Sequence, residues 1–479
     1  MRKYIALTLV VVLCIALVAV TESATVERGC KALKVWGNPK AWEGPIKEFN
    51  KKYPNIKVNV QQINLGGGDM NVFMMSKALA NQLPDIISDM DFDGAKFISL
   101  KKLLPLDKYI TAEKVLSWPW INPRSVAKAF DGHYYSLCTT VYVNGFWYNI
   151  DIAKACGVYD DIPKSYDDPR FKKWDWNKFV EVLKKVTKDT DGDGKIDQYG
   201  STDTPGWGVW GYVAANGTQY WGVDKSAKPP RKICNINFTD PTVLETYQFI
   251  ADLHNKYKVG PPPDVDIAAA GLTIEQGTVL GQYMGSWVYT YFEEAVNKQR
   301  EKEGKPPLRF GFAPFPFKPG FDPAKSLAFV QIYNNCHITT QSKYPNAAWE
   351  LIKARFGPDY EAKYYDIVKF GGSLPRFKHG DIKAMLAKTT GEDTATLFIQ
   401  MLERADVIEL GLMGQVDVPS SYRPQYPAGS APNDLLNAAM EKAWHGKTQF
   451  AEECPELTKK VIEMYRKAWE AYDKEQAQG

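Results

Sequence analysis

The stretch from Ala32 to Ile87 constrains the fold more than any other feature of this 479-residue chain. Ala32–Trp36 reads as a short strand, Pro45 marks a helix start with Ile46, Phe49 and Tyr53 at helical spacing, and Ile56, Val58 and Val60 alternate as a strand does. The order then repeats, with Met70–Leu79 helical and Leu83–Ile87 a buried strand. Successive strand–helix–strand units need a largely parallel sheet covered by helices, because a parallel neighbour is reached only through a long crossover. Loops at the C-terminal ends of such strands are where an open α/β sheet gathers ligand chemistry. A chain this long exceeds one core, so two lobes of roughly 150–250 residues are expected.

Around Asp131–Gly132 the texture becomes hairpin-like. Thr140–Val143 and Phe146–Tyr148 flank Asn144–Gly145, and this extended stretch is a candidate crossing between lobes. Asp175 opens a helix whose apolar face is Trp176, Phe179, Val180, Leu183 and Val186, and Asp240–Pro241 opens another through Val243, Tyr247, Ile250 and Leu253. Arg309–Pro316 is extended and is a candidate second crossing. From Pro345 the chain reads as mostly helical, with a Pro-rich loop at 421–432.

Met1–Lys3 is basic, and an apolar run from Tyr4 to Val20 ends at Thr21–Ala24, which is a secretory signal pattern over residues 1–24. The same run, left uncleaved, would act as a membrane anchor. Either way the rest of the chain is expected outside the cytoplasm. There, Cys30, Cys138, Cys156, Cys234, Cys336 and Cys454 could form three disulfides or stay as buried thiols. Zinc is not expected, because there is no CxxC and His133, His254, His337, His379 and His445 are far apart. With 59 basic against 56 acidic residues and no long run of either sign, no nucleic-acid partner is expected.

Asp189, Asp191 and Asp193 stand at alternate positions, followed by Gly194, Lys195, Asp197 and Gln198. That is the oxygen spacing of a calcium loop, with the Lys195 carbonyl at the seventh position. The twelfth position is Gly200 rather than Glu, so a structural Ca2+ site fits better than a regulatory one, with Gln198 as a sixth ligand; the alternative is a solvated acidic turn. Gly206–Gly211 spells GxGxxG, but Asp203–Thr204–Pro205 precedes it and Trp occupies its spacers, so no dinucleotide site is expected. Trp207 and Trp210 on a Gly-supported loop suit stacking on a ligand face or local aromatic packing.

Aromatic residues make up 13% of the chain, and several Trp lie in loop-like contexts. Sugar rings offer C–H faces that stack on indole, and their hydroxyls need polar partners such as Asp, Asn and Arg. Trp42 reads as following the first strand, Asp89 and Asp91 follow Ile87, and Trp287 follows Gly285. Trp42, Trp207, Trp210 and Trp287 are therefore expected to face a cleft, and Trp176 and Trp349 to belong to helix cores. No GxSxG or histidine-based nucleophile setting occurs. Paired carboxylates, which meet only in space, leave a secreted, calcium-dependent carbohydrate-active enzyme (hydrolase or lyase) as the alternative to a binding protein.

Several segments in order carry a family resemblance. They are Phe49–Val58, Leu83–Ile86, Asp131–Tyr134, Phe146–Asn149, Trp176–Phe179, Glu275–Gly277 leading to Met284–Trp287, Gly311–Pro316 and Asn346–Glu350. Together the chain resembles the extracytoplasmic solute-binding proteins of sugar ABC importers, the maltose-binding-protein-like group (family 1). The resemblance implies a two-lobed type II periplasmic-binding-protein fold joined by hinge crossings. Residues 31–143 and 314–370 would form the N-terminal lobe, and 144–313 and 371–479 the C-terminal lobe. It implies a monomer that captures an oligosaccharide and delivers it to an ABC permease. Trp287 would stack on the ligand, the loop with Asp89 and Asp91 would supply polar contacts, and Tyr422 and Arg423 would border the cleft. The acidic loop also looks like the calcium loop of alginate-binding members at Asp189, Asp191, Asp193, Lys195 and Asp197, with Gln198 replacing an acidic residue. The family's lipid-anchoring motif is absent, and Arg376 and Arg423 leave acidic sugars open as ligands.

Overall fold

The computed structural model describes residues 26–65, 67–88, 90, 92, 94–117, 128–129, 131–206, 208–228, 231–356, 381–404, 407–410 and 432–477. The leader, residues 1–24, lies outside them. Among the described residues no helix is long and apolar enough to cross a membrane.

The first unit forms as its pattern dictates. Strand β1 (Ala32–Trp36) pairs in parallel with β2 (Lys57–Gln61) and with β3 (Ile86–Ile87), and helices α1 (Pro39–Lys52) and α2 (Gly67–Leu79) make the two crossovers. Leu33, Val35 and Ile86 point into one core with Phe49 and Trp349, whereas Trp36 and Ile87 point into another with Met74, as strand alternation requires. Helix α1 starts earlier than Pro45. Asn38 caps it, its Oδ1 accepting the Lys40 N–H at 3.1 Å, and Pro39 fills the first turn. Pro45 therefore sits inside the helix.

The sheet continues through two long strands. In β4 (Leu137–Asn149) the residues Leu137–Val143 pair antiparallel with β10 (Phe329–Ile338), while Asn144–Asn149 pair with β8 (Val279–Gly285) and β9 (Phe310–Ala313). Strand β10 pairs with β3 at its far end and with β11 (Val407–Leu410) at its near end. Strand β5 (Tyr199–Ser201) runs parallel to β8, and β6 (Gly222–Asp224) and β7 (Arg231–Cys234) form a separate ribbon. The backbone order of the large sheet is β2-β1-β3-β10-β4-β8-β5. Two helix-flanked halves thus share β4 and β10, the two-lobed architecture expected. Asp175 and Asp240 cap α3 (Trp176–Val186) and α5 (Pro241–Asn255) through side-chain oxygens, so both helix starts stand where the sequence puts them.

Three expectations change. Asn144–Gly145 makes no turn; β4 runs straight through it, and Gly145 is required because a Cβ there would lie 2.5 Å from the Phe312 ring. Arg309–Pro316 is not a crossing, since β9 within it is a strand beside the second half of β4, and β10 makes the return instead. Pro314–Leu327, expected in the first lobe, packs on the second. There the Pro314 carbonyl accepts the Trp174 indole N–H at 2.9 Å, and Phe315 lies between Tyr212 and Tyr283. Its aromatic side chains find their partners before the chain crosses.

Three disulfides do not form. Cys30, Cys156, Cys234 and Cys454 are free thiols, and burial pushes Cys234 up to about 11 and Cys454 up to about 12. The Cys336 Sγ approaches Ser88 Oγ at 3.3 Å. The side chain of Cys138 lies outside the described residues. The buried thiols behave as small apolar groups.

His337 in β10 is 2% exposed, and because a carbonyl only accepts, its Nδ1 carries the proton donated to Tyr135 O at 3.0 Å. Burial pushes the imidazole down to about 4 from an ordinary 6.5. Between these values the unfolded chain binds a proton that the folded chain refuses, so stability is intact above pH 6.5 and falls as pH drops toward 4. Urea unfolding of wild type at pH 7 and 4.5 should lose about 2–3 kcal/mol more than His337→Gln over the same interval. Equal losses would show that His337 is not the group.

Candidate functional site

The elements that could build a ligand site converge where β4 changes partners. Asn144 is opposite Gly285 of β8, and its Nδ2 donates to the Phe329 carbonyl at the start of β10, 3.3 Å away. Three strands therefore meet at one residue. Ser286 follows β8 directly, and its N–H donates to Val143 O at 2.8 Å. Both Asn144 and Ser286 are fully buried, and Asn144 Oδ1 and Ser286 Oγ have no hydrogen-bond partner among the described residues.

Two half-buried indoles flank this junction. Trp287 lies one residue past Ser286, and its ring folds back over Gly285, where an added Cβ would fall 1.7 Å from an indole carbon. Only glycine leaves room for that placement. The edge of Tyr142 on β4 meets Trp287 at 5.1 Å and 80°. On the other side, helix α4 (Val209–Ala215) carries Trp210, which stacks on Tyr220 at 4.6 Å and 2° and meets Phe329 edge-on at 5.9 Å. Tyr220 in turn meets Trp221 edge-on at 4.7 Å. The junction thus combines aromatic surface with two buried polar atoms, the two chemistries a polyhydroxylated ring requires.

The other expected ligand contacts distribute differently. Asp89, Asp91, Trp207, Tyr422 and Arg423, together with Arg376, lie outside the described residues. Trp42 is corrected: it sits on the inward face of α1 and is 0% exposed, because the Asn38 cap starts the helix before it. The Arg355 guanidinium lies over its ring at 4.6 Å and donates to Ser88 Oγ at 2.6 Å, at the end of β3. Trp42 thus packs against the guanidinium that bonds to Ser88 at the end of β3. Trp349 belongs to the core as expected, stacked on Tyr109, whereas Trp176 is half-buried and stacked on Phe249 at 4.3 Å. Sequence reasoning misses Asn144, Ser286, Tyr142 and Tyr220. The available signal for Asn144 is a polar residue followed by Gly within an apolar strand.

The acidic loop closes on itself. Backbone bonds between Lys188 and Gln198 join its ends. Asp189 Oδ1 accepts Gly192 N–H and Oδ2 accepts Gly194 N–H, both at 2.7 Å, and these amides hold its carboxyl below the usual range. Gly192 and Gly194 have φ of +83° and +87°, a left-handed conformation that favours glycine. Carboxylate oxygens of Asp189, Asp191 and Asp197 lie within 4.8 Å of one another. Asp193 Oδ1 instead accepts the Lys195 N–H at 2.7 Å. The Gln198 side chain points away from the carboxylates, and its Nε2 donates to Val186 O at 2.8 Å.

Replacing Gly285 by Ala should displace the Trp287 indole while leaving the sheet intact. The expected result is a changed near-UV circular dichroism spectrum with unchanged far-UV signal and a stability loss of about 1–3 kcal/mol in urea. An unaltered near-UV spectrum would mean that the indole is not held against Gly285.

Residues 36–362 match the family described as bacterial extracellular solute-binding protein. An uncharacterized ABC transporter extracellular-binding protein of Pyrococcus horikoshii is 23% identical over 459 residues, covering 89% of this chain and 92% of that protein. Among solved structures, an ABC substrate-binding protein from Listeria monocytogenes in complex with cycloalternan is similar at TM-score 0.63 and 18% identity, over 91% of this chain and 98% of that one. A maltose/maltodextrin-binding domain from Bdellovibrio bacteriovorus bound to maltotriose is similar at TM-score 0.58 and 18% identity, over 90% and 98% of the two chains.

Proposed function

The chain belongs to the bacterial extracellular solute-binding protein family and has the two-lobed type II periplasmic-binding-protein fold, and from that premise we propose that it captures an oligosaccharide for an ABC transporter. The observation that carries the reading is the β4 junction, where Trp210 and Trp287 flank two buried polar atoms without protein partners among the described residues. Indole faces stack on sugar C–H faces, and Asn144 Oδ1 and Ser286 Oγ, sealed in this structure, would meet sugar hydroxyls only where opening of the lobes uncovers them. The similar chains bound to cycloalternan and maltotriose support this ligand class. Asp89, Asp91, Trp207, Tyr422 and Arg423 remain ligand contacts of the proposal, and Trp42 does not.

In this reading the protein is exported through its leader, works as a monomer outside the membrane, and delivers the sugar to a permease without altering it. Closure of the lobes reports occupancy through the ligand's greater affinity for the closed state. A thermal-shift panel including maltotriose, other neutral oligosaccharides and uronic oligosaccharides, with the bound sugar recovered and analysed, tests the whole reading. At least one saccharide should raise the melting temperature and be recovered intact. Trp210→Ala and Trp287→Ala should each weaken its binding by about 0.5–1.5 kcal/mol or more, roughly two- to tenfold. Stabilisation by a peptide and by no saccharide refutes the sugar reading, and a cleaved sugar refutes the non-catalytic one.

We further propose a structural Ca2+ in the acidic loop, held by Asp189, Asp191, Asp193, Asp197 and the Lys195 carbonyl. The convergence of three carboxylates around a loop with two left-handed glycines supports it. Because Gln198 bonds to Val186, it is left out of the ligand set. Metal analysis of the purified protein should find calcium, and chelator should lower its melting temperature. A calcium-free protein whose melt ignores both chelator and added calcium rules the site out.

A further inference from the structure

The two indoles of the candidate site stand on separate elements, yet both trace back to one buried carboxylate. Asp203 follows β5 by two residues and is 4% exposed. Strand β5 stops at Ser201, which pairs with Gly281 of β8, so the next N–H along β8, that of Tyr283, has no strand to meet. Asp203 Oδ1 accepts it at 2.5 Å, and the side chain thus continues the ladder where the backbone has left it. Two residues beyond Tyr283 is Gly285, on which the Trp287 ring rests.

The second carboxylate oxygen accepts the hydroxyl of Tyr212, two residues beyond Trp210 on α4. Tyr212 is wholly buried and packs on Phe315 at 4.6 Å, and Tyr283 stacks on the same ring at 5.3 Å. Gly211 admits that ring, since a Cβ there would lie 2.1 Å from it. The main chain of Asp203 is pinned as well. Its N–H donates to Ser201 Oγ at 3.1 Å, and its carbonyl faces His254 Nε2 at 2.6 Å, while His254 Nδ1 faces Pro261 O at 2.6 Å. A buried acid bonded at four points to two strands and two helices is costly to keep unless its geometry is used.

We infer that Asp203 is a positioning residue that sets the placement of Trp210 and Trp287 relative to each other. The importance of that placement to ligand capture rests on the proposed function; the placement itself does not. One arm runs from Oδ1 through β8 to Trp287, and the other from the second oxygen through α4 to Trp210. Cutting one arm should disturb one indole, and removing the carboxylate should disturb both.

The full-length protein labelled with 5-fluorotryptophan reports each indole by 19F NMR without any ligand, with signals assigned through Trp210→Phe and Trp287→Phe. Asp203→Ala should displace both resonances, Tyr212→Phe should displace that of Trp210 alone, and Asp203→Asn should restore both toward wild type because its amide can bond to Tyr283 N–H and to a reversed Tyr212 hydroxyl. A folded Asp203→Ala protein with a lower melting temperature but unmoved resonances would overturn the inference, leaving a purely structural acid. If Asp203→Ala does not fold, Tyr212→Phe decides: a displaced Trp210 signal supports the inference and an unmoved one overturns it. A chain that binds no saccharide would still give these spectra, so the two readings fail separately.

Discussion

The backbone ladder of β4 is the constraint on which the rest depends. One strand carries hydrogen bonds to β10 as far as Val143 and to β8 and β9 from Asn144 onward. Because each half of the strand is committed to a different set of neighbours, the two lobes are connected by continuous sheet rather than by loose linker. A rotation of one lobe against the other would bend the sheet near the change of partner, where the side chains of the candidate site gather. Asn144, Ser286, Tyr142 and Trp287 all stand within two residues of that change or of its opposite number on β8.

Aromatic residues fall into two groups in this molecule, and packing separates them. Phe146, Trp147, Tyr148, Phe179, Tyr212, Phe312 and Phe315 are buried and fill the second lobe, where close approaches at Gly145, Gly211 and Gly311 admit their rings. Trp210 and Trp287 are held by the same kind of contact but remain half-buried. An indole fixed on one side by a tyrosine loses little further side-chain entropy when a ligand arrives. That preorganisation is what distinguishes a stacking surface from an exposed core residue.

How much of this is legible in the sequence depends on whether a signal is local. The β1–β3 units and the capped helices after Asp175 and Asp240 are legible, because periodicity and cap chemistry act over a few residues. Trp42 is misplaced when Pro45 is taken as the helix start, although Asn38–Pro39 is the stronger one: an Asx cap followed by a first-turn proline. Asn144–Gly145 has the spelling of a hairpin turn, and only the distant Phe312 ring explains the glycine. The return crossing comes later than the sequence suggests because its position depends on where Phe315 and Phe317 find aromatic partners, which no local pattern records. Asp203 is equally silent, since its bonds reach residues 9 and 80 positions away.

The near-balance of 59 basic and 56 acidic residues bears on how selectivity could arise at the proposed site. Stacking alone would accept any ligand with an apolar face. Asn144 Oδ1 and Ser286 Oγ change that, because a buried polar atom without a partner costs about 1–3 kcal/mol. Both atoms are sealed in this structure, so a ligand hydroxyl would remove that cost only once opening of the lobes uncovers them. On the proposed reading the junction would discriminate by what it leaves unsatisfied and would favour a ring that is apolar on its face and polar at its edge. Discrimination of this kind would need no net charge, because it would rest on the cost of an unpaired buried polar atom and not on ion pairing.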